Sequence, residues 1–134
     1  GGTANCTVVL SDKQIGSPVI NTPASCVVMN LPSLEKFEDA IQPKGLLVVN
    51  TSLIDTKAKR DDIDVVYVPC NKIAIECGSG KAANMVALGT YVGKTKIVKL
   101  DTVLNLIKEQ LAHKPKLVEI NLEAVKKGYE LGEK

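Results

Sequence analysis

Tryptophan is absent from this chain, phenylalanine occurs once and tyrosine three times in 134 residues. A core with so few rings must be aliphatic, built from Val, Leu, Ile and Ala. The same scarcity excludes stacking platforms for single-stranded nucleic acid. Charge of one sign is missing too: 17 basic and 15 acidic residues leave a formal +2, too weak a field to gather phosphate backbones. No nucleic-acid partner is expected. Histidine is nearly absent, and the single His113 excludes a two-histidine metal site within one chain. Any Ser-His-Asp or Cys-His arrangement would have to use that residue, which sits past a helix end and far along the chain from every cysteine. The four cysteines, Cys6, Cys26, Cys70 and Cys77, form no Cys-x-x-Cys pair, the close spacing that zinc and iron–sulfur sites use. No metal site is expected, and reduced structural thiols in cytoplasm are the reading. No apolar run approaches the length needed to span a bilayer, so no membrane partner is expected.

What is present is an alternation of short apolar runs and helical stripes. Thr7-Val8-Val9-Leu10 favours an extended strand over residues 5–10, a turn follows over 11–17, and Val19-Ile20 extends the pairing. Ser25-Cys26-Val27-Val28-Met29 and Gly45-Leu46-Leu47-Val48-Val49-Asn50 are continuous apolar runs, as in strands covered on both faces. Between them Leu34, Phe37 and Ile41 mark a short helix with Ser33 as its N-cap. Strand, helix and strand within about 30 residues make a crossover unit, with its two strands parallel. Val65-Val66-Tyr67-Val68 is a further strand, and 71–77 a short helix broken by Gly78-Ser79-Gly80. The apolar stretch 82–92 predicts a helix buried in the middle of the assembly. Another helix begins at Asp101. The last runs from Pro115 to about Leu131, its apolar face predicted to dock on the sheet and its Glu123 and Lys127 spaced for an outer i, i+4 pair. The whole is one domain by length, residues 1–134: an α/β, Rossmann-like layered domain with a mostly parallel sheet flanked by helices.

Few residues invite chemistry. Gly1 and Gly2 let the backbone approach a partner closely or bend tightly into a strand. Gly78-Ser79-Gly80-Lys81 resembles a phosphate loop, but Ala82 stands where a magnesium-binding hydroxyl is needed and Ile75 where a glycine is needed. A weaker reading leaves Gly80 and Lys81 as an anion contact, with free amides ahead of a helix and one ammonium group. Asn84, at the start of an apolar helix, either bonds backbone in the core or faces a subunit contact. Asp61, Asp62 and Asp64 beside Arg60 read as a solvated loop rather than a metal cage. No residue reads as an independent catalytic group.

Gly1-Gly2-Thr3-Ala4-Asn5-Cys6 followed by Val8-Val9-Leu10-Ser11-Asp12 and Ile15-Gly16-Ser17-Pro18 resembles the gamma subunit of 2-oxoacid:ferredoxin oxidoreductases, most closely the 2-oxoglutarate type. The resemblance continues through Asn30-Leu31-Pro32-Ser33 with Phe37, through Gly45 to Asn50, and through Val68-Pro69-Cys70-Asn71-Lys72-Ile73-Ala74. It ends with Asn84 to Gly89, Asn121 and Gly128-Tyr129-Glu130-Leu131. It implies a non-catalytic subunit that shapes the entrance to an active site, with Gly1, Gly2, Thr3 and Asn5 in a loop facing that site. It also implies coenzyme A as the anion of interest for Lys81. Thiamine diphosphate, magnesium and iron–sulfur clusters would lie in alpha, beta and possibly delta partner subunits, and electrons would pass to ferredoxin. The 2-oxoacid is expected to be 2-oxoglutarate, with a branched-chain 2-oxoacid equally compatible. The competing reading is a free-standing α/β nucleotide-binding or regulatory module, against which stands the lack of a Gly-x-Gly-x-x-Gly turn. The family opens with a strand, a glycine turn and a helix ahead of this block. Gly1 is therefore expected to be an interior position of a longer protein. The uncovered strand edge is expected to be filled by an upstream segment or a neighbouring chain.

Overall fold

The computed structural model describes residues 4–134. Its sheet has three strands in the order β1 (Ser25–Val28), β2 (Leu46–Asn50), β3 (Asp64–Val68), all parallel. Ser25 lies opposite Leu46 and Val28 opposite Val49, while Leu46 to Asn50 run against Asp64 to Val68. Five helices surround it: α1 (Leu31–Phe37), α2 (Cys70–Cys77), α3 (Ala83–Thr95), α4 (Leu100–Gln110) and α5 (Pro115–Glu133). The expected α/β layering and crossover unit are therefore present.

Why β2 reads as an unbroken apolar run is plain from its place at the centre. All five of its residues are buried, and successive side chains alternate between the two faces. Leu47 and Val49 meet Val28, Leu34, Ile41 and Ile54 on the α1 side. Leu46 and Val48 meet Val68, Ile73, Ala74, Val86 and Ala124 on the other. A third cluster of Val92, Val103, Ile107 and Val125 fastens α4 to α3 and α5.

Several expectations fail, each for a local reason. Residues 5–10 form no strand and are largely exposed, because β-propensity without a hydrogen-bonding neighbour does not hold an extended chain. Val19 and Ile20 likewise pair with nothing and are exposed. The N-cap of α1 is Asn30, whose Oδ1 accepts from Ser33 N at 3.1 Å; Ser33 itself lies inside the first turn. Helix α3 keeps Asn84 and Leu88 on the surface, so it is not buried all round.

The larger correction concerns α5. Its main partner is α3, not the sheet. Gly89 and Gly93 of α3 press against the carbonyls of Val125 and Tyr129, while Gly128 and Gly132 of α5 press against those of Val86 and Thr90. At each of the four, an added Cβ would overlap backbone atoms. The two helices thus pack backbone to backbone, which only residues without a side chain permit. The outer pair is present as expected, Lys127 Nζ to Glu123 Oε1 at 3.6 Å.

Candidate functional site

In parallel sheets flanked by helices, ligands and partners meet the crevice outside the carboxyl ends of the strands. Here that end is tied by Asn50, the last residue of β2 and 1% exposed. Its Nδ2 donates to Met29 O at 3.1 Å, just past β1, and to Asn71 Oδ1 at 2.7 Å, in α2. Its Oδ1 accepts from Cys70 N at 3.0 Å and Ser52 N at 3.2 Å. One amide side chain therefore fixes the ends of β1 and β2 and the start of α2, with every polar atom partnered. Ser52 Oγ accepts from Lys72 N at 3.1 Å, so a second amide of the first turn of α2 is capped from the loop after β2.

These contacts shape an open groove of about 660 Å³ lined by Thr51, Ser52, Asn71, Lys72, Ile75 and Glu76. Ile75 is 65% exposed and Leu53, in the loop after β2, 58%. The surface combines hydroxyl, amide and ammonium groups with unburied aliphatic side chains. It suits contact with another molecule.

The residues singled out in the sequence are not gathered at this groove. Gly1, Gly2 and Thr3 lie outside the described residues. Asn5 is exposed in a segment without regular structure. Gly80 and Lys81 sit in a short 3-10 turn after α2, outside the groove lining but beside its Ile75, whose Cγ1 a Cβ on Gly80 would meet at 3.5 Å. Three amides there are occupied: Lys81 N donates to Ser79 Oγ at 3.3 Å and Ala82 N to Ser79 O at 3.0 Å, and Ala83 N reaches Gly80 O. What remains for an anion is the exposed Lys81 ammonium and the Gly80 amide. Asn84 is exposed, and its Oδ1 accepts from Met85 N at 3.0 Å. Of the acidic loop, Asp62 pairs with Arg60 at 2.6 Å and Asp64 with Lys94 at 3.0 Å.

Arg60 also donates to the carbonyls of Glu38 and Ile41, and its guanidinium holds the Asp62 carboxyl below the usual range. The four thiols are free; burial pushes Cys26 and Cys77 up, and Cys70, fully buried, to about 12. Among the described residues no three His, Cys, Asp or Glu side chains converge, and no helix is long and apolar enough to cross a membrane.

Sequence reasoning missed Asn50, Ser52 and Asn71 as a unit. Their signal was an amide closing an apolar strand, with a second amide following the next strand's Pro69.

Known proteins frame this geometry. The family model for pyruvate ferredoxin/flavodoxin oxidoreductase matches residues 1–131. The ketoisovalerate oxidoreductase subunit VorA of Methanothermobacter marburgensis is 34% identical over 130 residues, 96% of this chain and 27% of that protein. The 2-oxoglutarate synthase subunit KorC of Methanocaldococcus jannaschii is 31% identical over 134 residues, 98% of this chain and 70% of that one. The chain thus spans about a quarter of the VorA relative's length. Among solved structures, the gamma subunit of a keto/oxoacid ferredoxin oxidoreductase from Geobacter sulfurreducens superposes with a TM-score of 0.74 at 22% identity, covering 81% of this chain and 63% of that one. The 2-oxoglutarate:ferredoxin oxidoreductase of Magnetococcus marinus, solved with 2-oxoglutarate, coenzyme A and succinyl-CoA bound, gives 0.74 at 24% identity, covering 84% of this chain and 20% of that one. These likenesses extend the shared fold to both structures. With its matching model spanning nearly the whole sequence, the chain belongs to the pyruvate ferredoxin/flavodoxin oxidoreductase family.

Proposed function

We propose that this chain is the gamma-type component of a 2-oxoacid:ferredoxin oxidoreductase, in which a 2-oxoacid is decarboxylated, its acyl group passes to coenzyme A and two electrons leave to ferredoxin. The observation that carries the reading is the family match over residues 1–131. The chain's own chemistry agrees with a non-catalytic part. Its four cysteines are free and scattered, without the closely spaced ligands that iron–sulfur clusters use. Thiamine diphosphate, magnesium and the clusters are assigned to alpha, beta and delta partners, which supply the carbanion and electron chemistry. This component helps to assemble them, and its carboxyl-end groove faces the partner subunits. The complex works in the cytoplasm.

The relatives named for ketoisovalerate and for 2-oxoglutarate stand at 34% and 31% identity, so identity does not separate the two substrates. We assign 2-oxoglutarate from the opening motif, with the branched-chain acid as its competitor. The loop of Gly1, Gly2, Thr3 and Asn5 is assigned to the active-site entrance, Lys81 to the coenzyme A phosphates and Asn84 to a subunit contact.

Purification of the native complex, followed by coenzyme A-dependent ferredoxin reduction with pyruvate, 2-oxoglutarate and 2-oxoisovalerate, tests this reading. Turnover of 2-oxoglutarate by a complex containing this chain supports it. A native form without alpha- and beta-type partners, carrying a nucleotide on this chain alone, would replace it with a free-standing binding module.

A further inference from the structure

Helix α2 carries its two charges at the wrong ends. Lys72 stands in its first turn and Glu76 in its last, whereas a helix favours acid near its N-terminus and base near its C-terminus. Base before acid at i, i+4 is also the poorer order for an ion pair within one helix. In α5 the better order, Glu123 before Lys127, is closed at 3.6 Å. Among the described residues Lys72 and Glu76 form no ion pair. Ile75 shares their outward face and is 65% exposed. Its neighbour Gly80 puts no side chain over it. A solvated helix face gains nothing from charges that oppose its own dipole and from an isoleucine set between them. A partner of matching charge gains from both.

We propose that α2 pairs antiparallel with α2 of a second copy, across a two-fold axis level with Ala74. Lys72 and Glu76 stand symmetrically about that level, so Lys72 of each copy faces Glu76 of the other and two ion pairs form. The two Ile75 side chains meet close to the axis. Each charge then lies at a favourable helix end, Lys72 against the other copy's C-terminus and Glu76 against its N-terminus. A helix of unrelated sequence would fit only if its acid and base came in the mirrored order; a second copy supplies that order by symmetry. Such a contact uses one patch twice and closes at two copies. Leu53, 58% exposed in the loop after β2, and the groove lined by Ile75 extend the apolar centre inside the charged rim, the usual anatomy of an interface. One short helix makes a small face, so the dimer is weak, with a Kd of about 100 μM. This contact goes beyond the oxidoreductase reading and stands without it: it places a second copy among the chains that meet the groove.

Sedimentation equilibrium of the 134-residue chain tests the proposal. The expected result is a monomer–dimer equilibrium that weakens as salt screens the exposed ion pairs. Lys72→Glu sets acid against acid across the axis, and Glu76→Lys sets base against base. Each variant dissociates roughly 30-fold more readily. Each also corrects the charge at its own helix end, so its Tm holds or rises, which separates loss of the dimer from loss of the fold. Mixed in equal amounts, the two variants recombine as a heterodimer in which every acid faces a base. A chain still monomeric at about 1 mM overturns the proposal. So do single variants that dimerise like the parent, or a mixture that fails to recombine. A monomeric chain inside a complex that turns over 2-oxoglutarate removes the dimer alone. A dimer in native material without alpha- and beta-type partners keeps the α2 contact and removes the oxidoreductase reading instead.

Discussion

Replacing Gly128 with alanine sets two effects of one methyl group against each other. In an open helix the change would stabilise by about 1 kcal/mol, because glycine is the poorer helix former. At this position the new Cβ overlaps the Val86 carbonyl oxygen on the order of 1 Å beyond van der Waals contact and lies 3.0 Å from Thr90 N. Both obstacles are backbone, so no rotamer change relieves them. Helices α3 and α5 must move apart, loosening Val86, Ala83 and Ala124, which pack in the same cluster. Overpacking of this kind costs about 1–3 kcal/mol and occasionally more. With a rigid obstacle we expect a net loss of about 3 kcal/mol, seen as a fall in Tm of about 10 °C for a domain of this size. Urea unfolding followed by circular dichroism measures it, with Gly16→Ala as control, since a Cβ there meets nothing within 4 Å. The double variant Gly89→Ala/Gly128→Ala should cost less than the sum of its parts, because one separation of the helices relieves both clashes. An alanine at 128 that leaves stability unchanged or raised, or strict additivity of the pair, would refute the backbone-contact argument.

Three further outcomes are expected. Asn50→Ala leaves Met29 O and the amides of Cys70 and Ser52 without their partner, so stability should drop by about 2–4 kcal/mol, and hydrogen exchange should quicken at residues 52 and 70 before the sheet centre opens. Cys70 has its thiol raised to about 12 from the ordinary 9.0, so the folded state favours the protonated form. Its contribution is whole below pH 9 and is lost as pH climbs toward 12, at up to about 1.4 kcal/mol per pH unit; Cys70→Ala should flatten the urea midpoint between pH 8 and 10.5 relative to the parent. Gly45→Ala places a Cβ 2.6 Å from Ile41 Cγ2 and 2.7 Å from the carbonyls of Ala24 and Gln42; denaturant titration should show a loss of at least about 2 kcal/mol.

The strands β1, β2 and β3 were readable because central parallel strands are covered on both faces, and uninterrupted apolar runs say so directly. Helix positions followed from periodicity and from the breakers Pro43, Pro69 and Pro115. Periodicity shows which face of a helix is apolar but not what meets that face, which is why α5 was assigned to the sheet instead of α3. The spacing of Gly89 with Gly93 and of Gly128 with Gly132 was the available clue, since paired glycines one turn apart let helices touch. The strand at 5–10 failed for the opposite reason: propensity was present but a neighbour was not. At the groove, Asn50 was visible as a residue but not as a knot. Its partners lie 20 and 21 positions away, and only the register of three strands brings them together.

The bare backbone seam between α3 and α5 has a consequence for how the protein is made. Helix α3 leaves the ribosome with its glycine face uncovered, and the helix that covers it follows only after α4. The sheet and its first crossover are complete some sixty residues before the middle of α5, yet one of the layers waits on that helix. Ribosome-bound intermediates stalled before residue 128 should remain protease-sensitive, and those in which α5 has fully emerged should become resistant.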